Sequence, residues 1–177
     1  MLFRSIRQTL AGPSLLNFAA NARGVWPAPR VLAALEAALA ARLDLWEAWA
    51  AVIQELGAQR RFDEAAERSK HAVERFPFCA NLWLIRAQAL QGVSDNAGEL
   101  DALKEAARLD PHSLHISIEL ADAYERRGDL TAAGTVLQMA SIRAPLASAP
   151  RFNLARITWR SEEHTSELQS PCNLVCR

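Results

Sequence analysis

One residue pattern recurs every 34 positions between residues 46 and 147, and this period constrains the fold more than any other feature. Its best-preserved positions return in phase in successive copies: Trp49 and Trp83; Ala72, Ala106 and Ala140; Pro77, Pro111 and Pro145. A fixed period of this length is typical of stacked helical hairpins, because one hairpin cannot bury its apolar face alone. We therefore expect an all-α chain built from two helices per copy.

Apolar spacing and proline place the two helices within the copy at residues 46–79. Trp49, Ile53 and Leu56 follow one another at steps of four and three, which puts them on one face of a helix. A second helix follows a turn near Gly57, and Pro77 ends it because proline cannot continue a helix. The next copy departs from this pattern at its own turn, where we expect a looser connection and a helix that starts late, near Gly98.

The pattern resembles that of the tetratricopeptide repeat (TPR) family. In the first copy the family positions hold Trp49, Ile53, Leu56, Ala65, Ser69, Ala72 and Pro77. The resemblance implies an all-α fold, a right-handed superhelical array of antiparallel helix hairpins known as a TPR α-solenoid. It predicts a degenerate hairpin at 12–45, repeats at 46–79, 80–113 and 114–147, and the start of a further repeat at 148–159.

The two ends of the chain match nothing in the repeats. Residues 1–5 (MLFRS) and 160–177 (RSEEHTSELQSPCNLVCR) both resemble translated sequencing-adapter sequence. Such segments are excluded from fold reasoning. We therefore expect the native part to be a fragment, residues 6–159, whose last helix is cut at Trp159 and whose parent chain continues on both sides.

Composition excludes several function classes. Lys and Arg number 20 and so do Asp and Glu, so the chain has no electrostatic footprint for nucleic acid. No apolar run is long enough for membrane insertion. Without the ends, Cys79 is the only cysteine, which excludes a disulfide framework and a Cys-rich metal site. We expect no metal and no cofactor, and the compartment stays undetermined, with the cytoplasm as the default.

By resemblance, the first helix of each repeat lines a concave groove. The face it implies is polar, rich in amides and mildly acidic. Its members are Glu47, Gln54, Asn81, Leu84, Gln88, Gln91, His115, Ile118, Asp122, Glu125, Phe152 and Arg156. Such a face suits an extended peptide or a helix of a partner protein. The alternative interpretation is that these are ordinary solvated helix residues.

These observations predict a non-catalytic scaffold that binds a peptide or partner protein in the groove. No nucleophile, base and orienting group occur together at a suitable spacing, so we expect this segment not to be an enzyme. The alternative is the TPR arm of a larger transferase, protease or kinase whose catalytic domain lies outside it. A third hypothesis, a half-a-TPR array of the RNA-processing type, rests on Trp46 and Trp49, which also fit a packed core.

Overall fold

A computed structural model describes the backbone of residues 13–22 and 25–169, and the expected adapter segment at 1–5 lies outside these ranges. Every regular element in the described part is an α-helix. The helices are α1 (Pro13–Ala22), α2 (Ala28–Ala41), α3 (Trp46–Ala58), α4 (Phe62–Arg75), α5 (Ala80–Gly92), α6 (Asn96–Leu109), α7 (Leu114–Arg126), α8 (Leu130–Arg143) and α9 (Ser148–Gln169). The all-α expectation is confirmed.

The helix boundaries follow the 34-residue period of the sequence. Helices α3, α5, α7 and α9 begin at residues 46, 80, 114 and 148, and α4, α6 and α8 begin at 62, 96 and 130. Successive starts in both series differ by 34, and so do the ends of α3, α5 and α7 at residues 58, 92 and 126. Each copy of the pattern therefore folds into one hairpin.

The described part of the chain forms two compact units, which divide between Leu109 and Asp110. In the first unit, the core is a continuous cluster of apolar side chains from α1 through α5. Ala65 and Ala72 of α4 are fully buried, and such small residues let the helices of a hairpin approach closely. The tryptophans at 46, 49 and 83 pack against this cluster, so they serve the core.

The second unit contains α7, α8 and α9. Ala121 of α7, Ala133 and Leu137 of α8, and Ile157 of α9 form its buried core. Helix α9 packs against both α7 and α8, which places the start of the next copy against the hairpin before it. Ile116, Leu120, Ala123 and Ala140 of this unit are buried as well.

The turn inside each of the three hairpins has the same backbone geometry. Arg60, Ser94 and Gly128, which are 34 residues apart, have φ angles of 60°, 61° and 78°. In each case the next residue donates its amide to a carbonyl five residues earlier, as Arg61 does to Leu56 at 2.9 Å. A left-handed residue at the end of a helix closes the turn by pairing carbonyls that the helix itself leaves free.

The expected late start of α6 is wrong. The helix begins at Asn96, in register with α4 and α8, because Asp95 caps it: its Oδ1 accepts a hydrogen bond from the Gly98 amide at 3.0 Å. The turn is no looser than the others, since Asp95 also donates its amide to the Leu90 carbonyl at 3.0 Å. Glu99, which stands in place of a small residue, is nevertheless buried.

Helix α9 is the longest helix of the described part. It spans 22 residues, whereas α3, α5 and α7 each span 13, and its last ten residues fall in the expected adapter segment that follows Trp159. Residues 160–169 contain neither proline nor glycine, so nothing in this stretch terminates a helix. Side chains of α9 are described as far as Arg160.

Candidate functional site

A pocket of about 310 Å³ lies in the first unit between α3, α4 and α5. It is lined by Ile53, Gln54, Gly57, Phe62, Ala65, Ile85, Gln88 and Ala89. Gln54 and Gln88 belong to the predicted binding face, and the structure brings them to the same pocket although they are 34 residues apart. The volume is at the lower end of the range for ligand pockets, which is enough for one or two side chains.

Helix geometry explains how the pocket is formed. Gly57 follows Gln54 by three residues and Ile53 by four, so both side chains lie next to it on the surface of α3. Gly57 contributes no side chain, and a Cβ built on it would meet no atom within 4 Å. The space beside it therefore stays open. Ala65 and Ala89 are also small, while Ile53, Phe62 and Ile85 supply apolar walls.

The other predicted residues of the first unit do not line this pocket, and they differ in exposure. Asn81 and Gln91 are exposed, as are Gln54 and Gln88, and Glu47 is half-buried. Leu84 differs, because only 7% of its surface is exposed. Its helix α5 packs against α3, α4 and α6, and these contacts leave little room for solvent around a large apolar side chain. Leu84 can therefore offer little surface to a ligand.

In the second unit, three predicted residues meet in one ion-pair cluster. Arg156 Nη1 lies 2.8 Å from Glu125 Oε1, and its Nη2 lies 3.4 Å from Asp122 Oδ1. Arg160 also donates to Glu125 Oε1. The Glu125 side chain is only 9% exposed, whereas the side chains of Arg156 and Arg160 are 42% and 60% exposed. These pairs neutralise the acidic part of the predicted face, and solvent screening limits the strength of the exposed ones.

The remaining predicted residues of the second unit do not join that cluster. His115 of α7 is exposed. Ile118 is half-buried and packs against the core of the unit. Phe152 of α9 is 72% exposed, so it is the one large apolar side chain of the predicted face that is presented to solvent.

Comparisons with known proteins identify the fold. No family model and no curated protein matches the sequence. Among solved structures, a thermophilic TPR protein of Thermus thermophilus superposes with a TM-score of 0.65 at 18% identity, covering 93% of this chain and 94% of that one. The chain has the tetratricopeptide repeat fold.

Two further TPR-fold neighbours are informative. MamA (residues 41 to the end) from Desulfovibrio magneticus RS-1 has a TM-score of 0.63 at 15% identity, over 80% of this chain and 82% of that one. The type III secretion chaperone SycD of Yersinia enterocolitica, in complex with a peptide of the translocator YopD, has a TM-score of 0.58 at 12% identity, over 65% and 93%. At these identities the likeness concerns the fold.

The ionisable groups near the candidate site limit the chemistry that it can perform. None of the eight residues that line the TPR pocket has an ionisable side chain, so the pocket has no general acid or base. Burial raises the pKa of the Cys79 thiol, which keeps the sulfur protonated and weakly nucleophilic. Within the described residues, no group of three His, Cys, Asp or Glu side chains can hold a metal ion.

No helix among the described residues is both long enough and apolar enough to cross a bilayer.

Sequence reasoning identified two of the eight pocket residues and missed the six that form its walls. A signal for the cavity was present in the repeat register. Gly57 stands where the next two repeats have Gln91 and Glu125, and Ile53 stands where they have Ala87 and Ala121. The pocket lies beside this missing side chain and the enlarged apolar one, in a repeat that differs from the next two at both positions.

Proposed function

We propose that this TPR chain is a non-catalytic scaffold that binds an extended peptide segment of a partner protein. The peptide places an apolar side chain in the pocket of the first unit, between Ile53, Phe62 and Ile85. The observation that carries the proposal is the pocket itself: apolar walls with two exposed amide side chains, Gln54 and Gln88, beside them.

The two glutamines suit a peptide backbone. Each amide has two donor hydrogens and one acceptor oxygen, so it can pair with both the carbonyl and the N–H of an extended chain. When an apolar side chain of the size of Leu or Met moves from water into the pocket, it contributes about 1.5–3 kcal/mol to the binding free energy. Backbone pairing then fixes the direction of the peptide, while the pocket selects the residue.

Electrostatics favours an uncharged anchor. The chain is neutral overall, and the pocket lining carries no charge, so a charged side chain would lose its hydration without gaining a partner. The SycD complex supports a peptide ligand, since that protein has the same fold and holds a translocator peptide. In the second unit, Phe152 and the Arg156 cluster offer a further contact surface of mixed character.

A selected peptide tests the proposal. Random dodecapeptides displayed on phage are selected against the full chain, and the affinity of one selected peptide is measured by fluorescence anisotropy. The double variant Gln54→Ala/Gln88→Ala is expected to bind it at least about tenfold more weakly, because each net hydrogen bond contributes about 1 kcal/mol. Both residues are exposed, so the melting temperature stays close to that of the parent chain.

Gln138→Ala is the matched control, since Gln138 is an exposed amide on α8 that does not line the pocket. It is expected to leave the affinity unchanged. Equal binding by the double variant and the parent chain, with both folded by circular dichroism, contradicts the proposed site.

A further inference from the structure

The last residue of α5 is Gly92, a glycine that the backbone does not require. It lies within the helix and, unlike Gly128, does not have a positive φ angle. Any residue adopts such a backbone, and alanine forms helix more readily than glycine does. A neighbouring group, rather than the conformation of the chain, therefore accounts for glycine at this position.

The neighbouring group is the aromatic ring of Phe62, the first residue of α4. A Cβ built on Gly92 would lie 2.3 Å from Phe62 Cδ1, 2.6 Å from Cγ and 2.9 Å from Cε1, its three nearest atoms. Carbon atoms in contact are about 3.5–4.0 Å apart, so the ring would have to move by about 1 Å or more. Because Cγ lies at the root of the ring, a small adjustment at the ring tip does not relieve the contact.

The repeat register shows the same relation between side-chain sizes. One repeat later, Arg126 holds the position of Gly92, and Asn96 holds the position of Phe62. The large aromatic side chain thus coincides with glycine, whereas the long arginine side chain coincides with a short amide. Phe62 and Gly92 therefore form a matched pair in the repeat that contains the pocket.

The ring of Phe62 is also a wall of that pocket, together with Ile53 and Ile85. The pocket offers about 310 Å³ of unfilled space next to the ring, and close-packed helices leave little space elsewhere. A ring displaced from Gly92 loses apolar burial if it turns toward water and keeps that burial if it turns into the pocket. Displacement of the ring therefore narrows the pocket.

We propose that Gly92 is a positioning residue that sets the width of the pocket and, with it, the size of the apolar side chain that the pocket accepts. The inference rests on the proposed peptide-binding function, although the position of the ring can be measured without a peptide. With glycine at 92, the ring lies against α5 and the pocket takes a long anchor such as leucine. With alanine at 92, the ring enters the pocket, which then takes only a short anchor such as alanine.

Methyl NMR of the free, full chain tests the position of the ring. An aromatic ring changes the resonance of methyl groups close to it, so Gly92→Ala is expected to move the δ1 signals of Ile53 and Ile85. Gly134→Ala is the matched control, because Gly134 is also a helical glycine and a Cβ on it would meet no atom within 4 Å. It should leave both signals in place. Unmoved signals in Gly92→Ala overturn the inference.

The anchor preference of the selected peptide tests the consequence for binding. Alanine scanning of the peptide identifies its anchor, and versions with leucine or alanine there are compared by fluorescence anisotropy. The parent chain should favour leucine, and Gly92→Ala should reduce the ratio of the two affinities at least about tenfold, because the longer side chain no longer fits. A purely structural role of Gly92 would weaken both peptides alike. An unchanged ratio therefore overturns the inference.

The variant Phe62→Leu tests whether Gly92 acts through the ring. Leucine is shorter than phenylalanine and leaves space for a methyl group at 92, so in this background Gly92→Ala should change the ratio by less than about twofold. An undiminished effect in the folded double variant, checked by circular dichroism, overturns the inference. If Gln54→Ala/Gln88→Ala fails to weaken binding, the proposed peptide site is wrong, and the methyl signals of the free chain then decide the role of Gly92.

Discussion

Replacing glycine with alanine is expected to have opposite effects on stability at two glycines of the second unit. Gly128 closes the turn between α7 and α8 with a φ of 78°, whereas Gly134 lies inside α8. A Cβ added at either glycine would meet no atom within 4 Å. Steric contact is therefore the same for Gly128→Ala and Gly134→Ala, and only the backbone conformation distinguishes them.

The magnitudes follow from that difference. A Cβ costs about 1–2 kcal/mol in the left-handed region, so Gly128→Ala should destabilise the protein by about 1 kcal/mol once the lower entropy of the unfolded chain is included. Gly134→Ala should stabilise it by about 0.5–1 kcal/mol, because alanine is the better helix former. The reciprocal change Ser94→Gly removes the strain at a φ of 61° and should gain about 0.5 kcal/mol.

Urea unfolding followed by far-ultraviolet circular dichroism measures these effects. The midpoint should fall for Gly128→Ala and rise for Gly134→Ala and Ser94→Gly, with the denaturant slope unchanged. If Gly128→Ala stabilises the protein as Gly134→Ala does, the left-handed turn does not exist in solution and the argument from the repeated turn is refuted.

Three further outcomes are expected. Ala121→Leu should lower the free energy of unfolding by about 1–3 kcal/mol, because Ala121 is fully buried between helices. An unchanged midpoint of urea unfolding would show that this core is not closely packed. Gly57→Leu should fill the pocket and abolish binding of the selected peptide. The melting temperature should not fall, since a Cβ at this position has free space. Undiminished affinity in fluorescence anisotropy would mean that the peptide binds elsewhere. In a chain with Cys172 and Cys176 replaced by serine, Cys79 should react with iodoacetamide more slowly in the folded state than in urea, because burial raises the pKa of its thiol. Equal reaction rates, measured by mass spectrometry, would contradict this expectation.

The fold was predictable because the repeat period and the proline positions are local features of the sequence. A 34-residue step fixes where each helix begins, and Pro77 and its counterparts end each hairpin. The start of α6 was missed although residue type carried a signal for it, because Asp95 is a preferred N-cap residue and stands 34 positions before Asp129, which caps α8. The departure from the pattern at this turn suggested a late start near Gly98, whereas the side chain of Asp95 caps the helix at its usual place. Capping depends on side-chain geometry, which a pattern of apolar residues does not record.

The site was predictable only in part. The face of the first helices follows from the repeat register, and the structure brings Gln54 and Gln88 to one pocket as that register implies. The depth of the pocket depends on Gly57, whose missing side chain matters only because of where α4 and α5 lie. Likewise, the ion pairs of Arg156 arise between α7 and α9, and residue type alone does not tell which exposed charges will pair.

The most direct test of the proposed scaffold function is a methyl NMR titration of the chain with the selected peptide, using ¹³C-labelled isoleucine δ1 methyl groups. Ile53 and Ile85 line the pocket of the first unit, whereas Ile142 lies exposed on α8. The peptide is expected to shift the Ile53 and Ile85 signals with one shared dissociation constant and to leave Ile142 in place. If the chain is saturated with peptide while the Ile53 and Ile85 signals stay unmoved, the peptide does not bind in the pocket.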